Sequence, residues 1–284
     1  GAYPDHDSLM TDYKVAEWAV SKLKSNIDKP FFLAVGFLRP HVPWYAPQKW
    51  FDMFPVEGIE TPPYIPDDLD DIPDFAKRVA DAPMMPTTEE LIMSGEWKDV
   101  IQAYLACIAF VDAQVGKVLD ALENSKYVNN TIVILWSDHG YHLGEKNRFA
   151  KQALWERDTR TVLIIKQIND IGGKECPAPV QLVDIYPTLV ELCSLPPYNK
   201  ANGNSLTSLL RKPEKKWKYP ALSFYGVGNV AVRDERYRLI QYEDGSLELY
   251  DMINDPNEWE NLANNKGSTR QIKKMRAFIP ENWA

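Results

Sequence analysis

The chain has 284 residues, 45% of them apolar and 25% charged, a balance that fits one large or two small globular domains. An excess of 40 acidic over 32 basic residues leaves a net charge of −8, which argues against nucleic acid as the main partner. No apolar run approaches the roughly 18–20 residues of a membrane span, and three cysteines make no disulfide framework.

In chain order, residues 8–24 place Val15, Trp18, Ala19 and Leu23 at helical spacing, with Ser8 or Thr11 as the cap. After Pro30, the run FFLAVGF (31–37) reads as a buried strand, and a helix feeding a continuous apolar strand is the α/β pattern. That strand ends in Arg39-Pro40-His41-Val42-Pro43-Trp44. Two prolines bracket His41 and predict an extended path. An imidazole displayed this way suits a general acid near neutral pH; it equally suits packing on Trp44. Residues 46–86 crowd prolines together with Asp67, Asp68, Asp70, Asp71 and Asp74, predicting a long, irregular, solvated loop. Residues 89–125 repeat apolar positions at helical spacing and predict a core-facing helix. Cys107 lies in that run and Cys193 in a later one, so both are expected as buried thiols.

Residues 131–136 (TIVILW) predict a second buried strand, which stops at Ser137-Asp138-His139-Gly140. In open α/β sheets ligands bind at the carboxyl ends of strands. Asp138 and His139 together form a donor pair for a divalent cation; the same pair also fits an Asp cap beside a surface His. Gly140 allows a sharp turn, Gly144 repeats that freedom, and Lys151 brings back a cation. Residues 153–160 look helical, 161–165 (TVLII) read as another buried strand, and 179–195 combine a short strand with a helix capped by Asp184. The texture then changes to short strands at 219–224, 229–233, 237–242 and 247–250, with Asp244-Gly245 as a hairpin signal, before a helix over 269–278.

The string SDHGYHLGEKNRFAKQALWERDTRTVLII resembles the second signature region of the type I sulfatases, nearest to the iduronate-2-sulfatase-like group. FFLAVGFLRPHVPW resembles that group's active-site His segment, and ELYDMINDPNEWENLA resembles its C-terminal signature. The resemblance covers nearly all of the chain but only the C-terminal part of the family's usual length. It implies an α/β, alkaline-phosphatase-like fold with a central sheet flanked by helices. Residues 1–212 would be the C-terminal part of the catalytic domain, and residues 213–284 a small antiparallel sheet with a terminal helix. It implies hydrolysis of a sulfate ester on a carbohydrate. By resemblance Asp138 and His139 are ligands of Ca²⁺, with Mg²⁺ the lesser alternative, Lys151 contacts the sulfate and His41 protonates the leaving oxygen. Tyr141 and His142 follow the ligands and are candidates to line the substrate pocket, or to pack. The family also needs a formylglycine, made in a Cys/Ser-x-Pro-x-Arg motif, and an Asp-Asp pair after the first strand. Neither is in this sequence, so both are expected on an N-terminal part or companion chain outside it. Two other readings are a phosphatase or phosphonate hydrolase of the same superfamily, and a non-catalytic glycan-binding or structural subunit. For compartment, the resemblance implies the periplasm, the cell exterior or the lysosome.

Overall fold

The computed structural model describes residues 1–168 and 172–281. In chain order the helices are α1 (Thr11–Lys24), α2 (Gln48–Phe51), α3 (Asp74–Val79), α4 (Thr88–Ser94), α5 (Trp97–Glu123), α6 (Glu156–Thr159), α7 (Ile185–Leu192), α8 (Thr207–Arg211) and α9 (Thr269–Arg276). The strands are β1 (Val133–Trp136), β2 (Leu163–Lys166), β3 (Ala221–Phe224), β4 (Val230–Arg233), β5 (Tyr237–Gln241) and β6 (Leu247–Asp251). They divide between two compact units that interleave along the sequence.

The first unit comprises Gly1–Pro62, Thr88–Val133 and Lys166–Asp170. Helix α1 packs along the 27-residue α5, and the fully buried Ala16 and Ala19 leave no bulk between the two. The core of this unit gathers Met10, Ala46, Phe51, Ala106, Cys107 and Phe110. Residues 31–37, expected as a buried strand, belong to no strand and alternate between half-buried and exposed, with Phe32 84% exposed. A ladder needs a neighbour, and among the described residues none pairs with this run.

The second unit comprises Pro63–Thr87, Ile134–Ile165 and Ile171–Ala284. Strands β3, β4, β5 and β6 form an antiparallel meander with Val232 opposite Leu239 and Leu239 opposite Leu249. One face sets Val232, Leu239 and Leu249 against Met275 of α9. The other sets Ala231, Ile240, Tyr242 and Tyr250 against Leu154 and Trp155. Both faces are covered, and the strands also bury the charged Arg238 and Glu248. Gly245, at φ 85°, closes the β5–β6 hairpin, as the Asp-Gly pair predicts. The small antiparallel sheet and the terminal helix expected from the sequence are therefore present.

Other expectations shift. β1 and β2 pair with each other, but Leu135, Trp136 and Ile164 are exposed, so neither is the buried strand expected. The helix expected at 153–160 shrinks to the single turn of α6, because Ala153, Leu154 and Trp155 are drawn into the core. Residues 179–195 hold no strand; a 3₁₀ turn at Leu182–Asp184, closed by a capping box with Gln181, leads into α7. Cys107 is buried as expected, whereas Cys193 is exposed at the end of α7.

Candidate active site

β1 delivers Asp138 and His139 at its carboxyl end. The Ser137 amide donates to Val162 O at 3.3 Å, and the Ser137 hydroxyl to His139 O at 3.0 Å. The Gly140 amide donates to Asp158 O at 2.7 Å. A Cβ on Gly140 would lie 2.0 Å from Arg157 O and 2.7 Å from Arg160 O. Glycine is required here by close approach of two backbones, a reason different from the turn that the sequence suggested.

His139 Nδ1 lies 2.7 Å from Gly140 O. A carbonyl oxygen only accepts, so Nδ1 carries the hydrogen and the neutral ring keeps its lone pair on Nε2. That Nε2 is 3.6 Å from Asp138 Oδ2, while Asp138 Oδ1 accepts from the His139 amide at 3.1 Å. A ring nitrogen and a carboxylate oxygen thus stand side by side, the ring oriented by a backbone carbonyl. Metal-binding histidines are oriented in the same way. The donor set fits two positions of a hard-cation shell, which for Ca²⁺ takes about six to eight ligands. Among the described residues no third carboxylate, imidazole or thiol completes a cluster.

Lys151 is placed by the loop that follows. The His142 amide donates to Ala150 O at 3.0 Å and the Gly144 amide to Arg148 O at 3.1 Å, folding residues 142–150 back on themselves. Tyr141 Oη donates to Phe149 O at 2.7 Å, and Arg148 Nη2 to Lys151 O at 2.8 Å. Lys146 (φ 55°), Asn147 (φ 51°) and Gln152 (φ 78°) occupy the left-handed region. Such residues persist only where the surroundings over-determine them. Lys151 itself is half-buried, and among the described residues no carboxylate lies within ion-pair distance of its ammonium group.

His142 points inward. It is 1% exposed, its Nδ1 donates to Asp158 Oδ1 at 2.9 Å, and its ring meets Trp155 edge-on at 5.9 Å. The physical reason is its alternation with Tyr141, whose ring stays half-buried at the surface. Arg148 Nη1 lies 3.9 Å from Asp158 Oδ2, and neither atom completes a hydrogen bond.

His41 belongs to the first unit. Its segment is a turn, with the His41 amide donating to Leu38 O at 2.9 Å, in place of the extended path expected from the flanking prolines. Both X-Pro bonds around it are cis. The ring is exposed, and Nδ1 donates to Val42 O at 2.7 Å, which leaves Nε2 outward. Asp12, buried in α1, accepts from the amides of Leu38 and Arg39 at 2.8 and 2.9 Å. Arg39 donates to His41 O at 2.9 Å and stacks on Tyr45 at 4.0 Å. These supports were not legible in the sequence, because Asp12 lies 26 residues from Leu38.

A family model described as Sulfatase matches residues 3–195. The chain belongs to the sulfatase family. A second model, N-sulphoglucosamine sulphohydrolase, C-terminal, matches residues 144–282. The sulfatase chain is 51% identical over all 284 residues to a protein named Sulfatase from Formosa agariphila, of which it covers 56%. It is 29% identical over 238 residues to the iduronate 2-sulfatase of Mus musculus, matching 69% of this chain and 41% of that protein. It spans about half the length of these curated relatives. Among solved structures, the phosphonate monoester hydrolase of Agrobacterium radiobacter superposes with a TM-score of 0.81 at 22% identity, over 97% of this chain and 61% of that one. The shared architecture is the alkaline-phosphatase-like fold.

Within the second unit of the sulfatase chain, a buried charge network ties the site loop to both flanking segments. Lys146 and Asp68 are each 3% exposed and lie 2.6 Å apart. Lys146 also donates to the Glu258 carbonyl. Arg238 bonds to Glu156 and to Leu154 O, and its Nε lies 3.0 Å from Glu258 Oε1, close enough to pair electrostatically though not aligned as a hydrogen bond. Burial pushes the Glu258 carboxyl up to about 7, opposed by Arg238. Asp71 accepts from the Asn261 amide at 2.7 Å. The acidic, proline-rich loop expected to be solvated therefore supplies one buried acceptor, Asp68, and one exposed acceptor, Asp71.

Proposed function

We propose that this chain carries the metal-binding, sulfate-contacting and leaving-group side of a sulfatase that hydrolyses sulfate esters of a carbohydrate, iduronate-2-sulfatase-like in kind. The observation that carries the reading is His139, whose Nδ1–H is committed to Gly140 O and whose Nε2 stands beside Asp138 Oδ2. Asp138 and His139 would hold Ca²⁺ in preference to Mg²⁺, because Ca²⁺ accepts a larger and less regular shell. Bound there, the ion supplies Lewis-acid polarisation of the sulfate oxygens. Lys151 neutralises the anionic group, its ammonium having no carboxylate competitor among the described residues. His41, in its doubly protonated form, gives its Nε2 proton to the leaving oxygen and keeps its Nδ1–H on Val42 O. Tyr141 borders the substrate, and His142 acts from behind it, through Asp158.

The nucleophile comes from outside these residues, as a formylglycine on an N-terminal part or companion chain. The absence of a Cys/Ser-x-Pro-x-Arg motif from the sequence and the half-length match to the relatives support this. A sulfated saccharide as substrate is supported by the sulphoglucosamine family model and by the iduronate 2-sulfatase relative. The likeness to a phosphonate monoester hydrolase favours a second reading, esters of phosphorus. The test is sulfate release by the complete polypeptide from 2-O-sulfated iduronate disaccharides, alongside hydrolysis of an aryl phosphonate ester. Sulfate release at the higher kcat/KM supports the proposal; preference for the phosphonate ester, or saccharide binding with no turnover, overturns it.

A further inference from the structure

Residues 211–219, between α8 and β3, read RKPEKKWKY. Five cations, Arg211, Lys212, Lys215, Lys216 and Lys218, face one carboxylate, Glu214, in a chain whose net charge is −8. All five cations are exposed. Lys212 lies 3.9 Å from Glu214; among the described residues, no carboxylate is within ion-pair distance of Lys215, Lys216 or Lys218. Some exposed cations elsewhere have such partners, Lys49 with Asp7, Lys274 with Asp234 and Arg236 with Asp251, whereas others, such as Lys14 and Lys24, have none among the described residues; what sets 211–219 apart is the density of its cations.

The segment also carries rings. From Lys216 onward the backbone leaves the preceding turn and runs without helix into β3. In an extended chain alternate side chains face opposite ways. Trp217 and Tyr219 share one side, half-buried, with ring centroids 5.0 Å apart at 70°. Lys216 and Lys218 take the alternate positions, and the Lys218 ammonium still comes within 4.9 Å of the Tyr219 ring centroid. The stretch from Lys216 to Tyr219 spans on the order of 10 Å of extended chain, longer than one sulfate group. The outer face of α9 is basic as well, with Arg270, Lys273, Lys274 and Arg276, but no ring lies between its cations.

We propose that residues 211–219 form a secondary binding surface for a sulfated polysaccharide. The lysine ammonium groups meet sulfates, and the Trp217–Tyr219 pair offers its exposed ring surface to the apolar face of a sugar. Net negative charge repels a polyanion from most of the molecule, and a local cationic stretch is where such a chain settles. The inference rests on the sulfated-saccharide reading of the active site for its choice of ligand.

The experiment measures the affinity of the complete polypeptide for dextran sulfate, with unmodified dextran and double-stranded DNA as comparisons. The variant K215A/K216A/K218A is expected to bind dextran sulfate at least about tenfold more weakly. W217F is expected to retain most of the affinity and W217A to lose about fivefold, the scale of covering a small part of one ring face. R270A/K273A on α9 is expected to change it by less than about twofold, since those cations lack the rings. The lysine and α9 variants keep the wild-type unfolding midpoint and the wild-type turnover of a small aryl sulfate, because every replaced side chain is exposed. The inference is overturned if the α9 variant loses as much affinity as the lysine variant, if DNA binds as tightly as dextran sulfate, or if the lysine variant binds normally. The active-site reading fails by a separate sign: a wild-type protein that binds dextran sulfate through this surface yet hydrolyses no sulfate ester.

Discussion

His139 has one nitrogen to offer. With Nδ1–H committed to Gly140 O, only Nε2 can meet a ligand, and Asp138 Oδ2 sits 3.6 Å away. The carbonyl that fixes this tautomer belongs to a residue whose own position depends on having no side chain, since Arg157 O would lie 2.0 Å from any Cβ there. Gly140→Ala is therefore expected to destabilise the protein by about 1–3 kcal/mol through forced backbone separation, read as a lower urea midpoint at unchanged m-value; an unaltered midpoint contradicts the close-approach argument. The Asp-His-Gly string was legible in the sequence because a short apolar run ends on it. The reason for the glycine was not, because the atoms that exclude a Cβ belong to residues 157 and 160, and only the folded loop brings them near.

At the scale of elements, the loop bearing Lys151 is held by charges that the sequence does not pair. Lys146 and Asp68 are 78 residues apart and meet in the interior. Removing one partner leaves the other buried and uncompensated, so Lys146→Met is expected to cost about 3–5 kcal/mol, and Asp68→Asn in the same chain to recover part of it. Denaturant unfolding of the two variants checks this, and additive losses would contradict it. Glu258 adds a pH dependence. Its carboxyl is raised from the ordinary 4.5 to about 7 by burial, so between those values the folded chain keeps a proton that the unfolded chain has lost. The contribution of Glu258 is thus full below pH 4.5 and fades as the pH rises through about 7. Glu156, lowered despite its burial by the guanidinium of Arg238, acts oppositely, losing its contribution as the pH falls below its usual range. Thermal unfolding of Glu258→Gln between about pH 5 and about pH 8 is expected to show a flatter profile than wild type; parallel profiles would contradict it. The four-stranded meander was readable because its alternation and its Asp244-Gly245 turn are local. Asp68, in a proline-rich acidic run, carries no local mark of its distant partner.

At the scale of the whole molecule, each unit leaves apolar segments short of sheet partners among the described residues. In the first, residues 31–37 run unpaired with Phe32 exposed. In the second, β1 and β2 pair only with each other among the described residues and leave Trp136 and Ile164 exposed. The sequence predicted all three runs as buried strands, and their composition is that of strands with sheet neighbours. The half-length match to the curated relatives fits a further polypeptide part that supplies them. The 284-residue chain alone is expected to bind the dye ANS and to self-associate, as open apolar edges do, whereas the complete polypeptide does neither. A monomeric 284-residue chain with no dye binding would contradict that expectation.

Asp138 and His139 are proposed to serve a sulfate-ester hydrolase. The most direct measurement of this role is the kcat/KM of the complete polypeptide for para-nitrophenyl sulfate and para-nitrophenyl phosphate, in wild type and in Asp138→Ala. Preference for the sulfate ester is expected, with a loss of about a thousandfold in the variant, the scale of several kcal/mol of lost charge stabilisation. Preference for the phosphate ester, or a variant within about tenfold of wild type, would contradict that role.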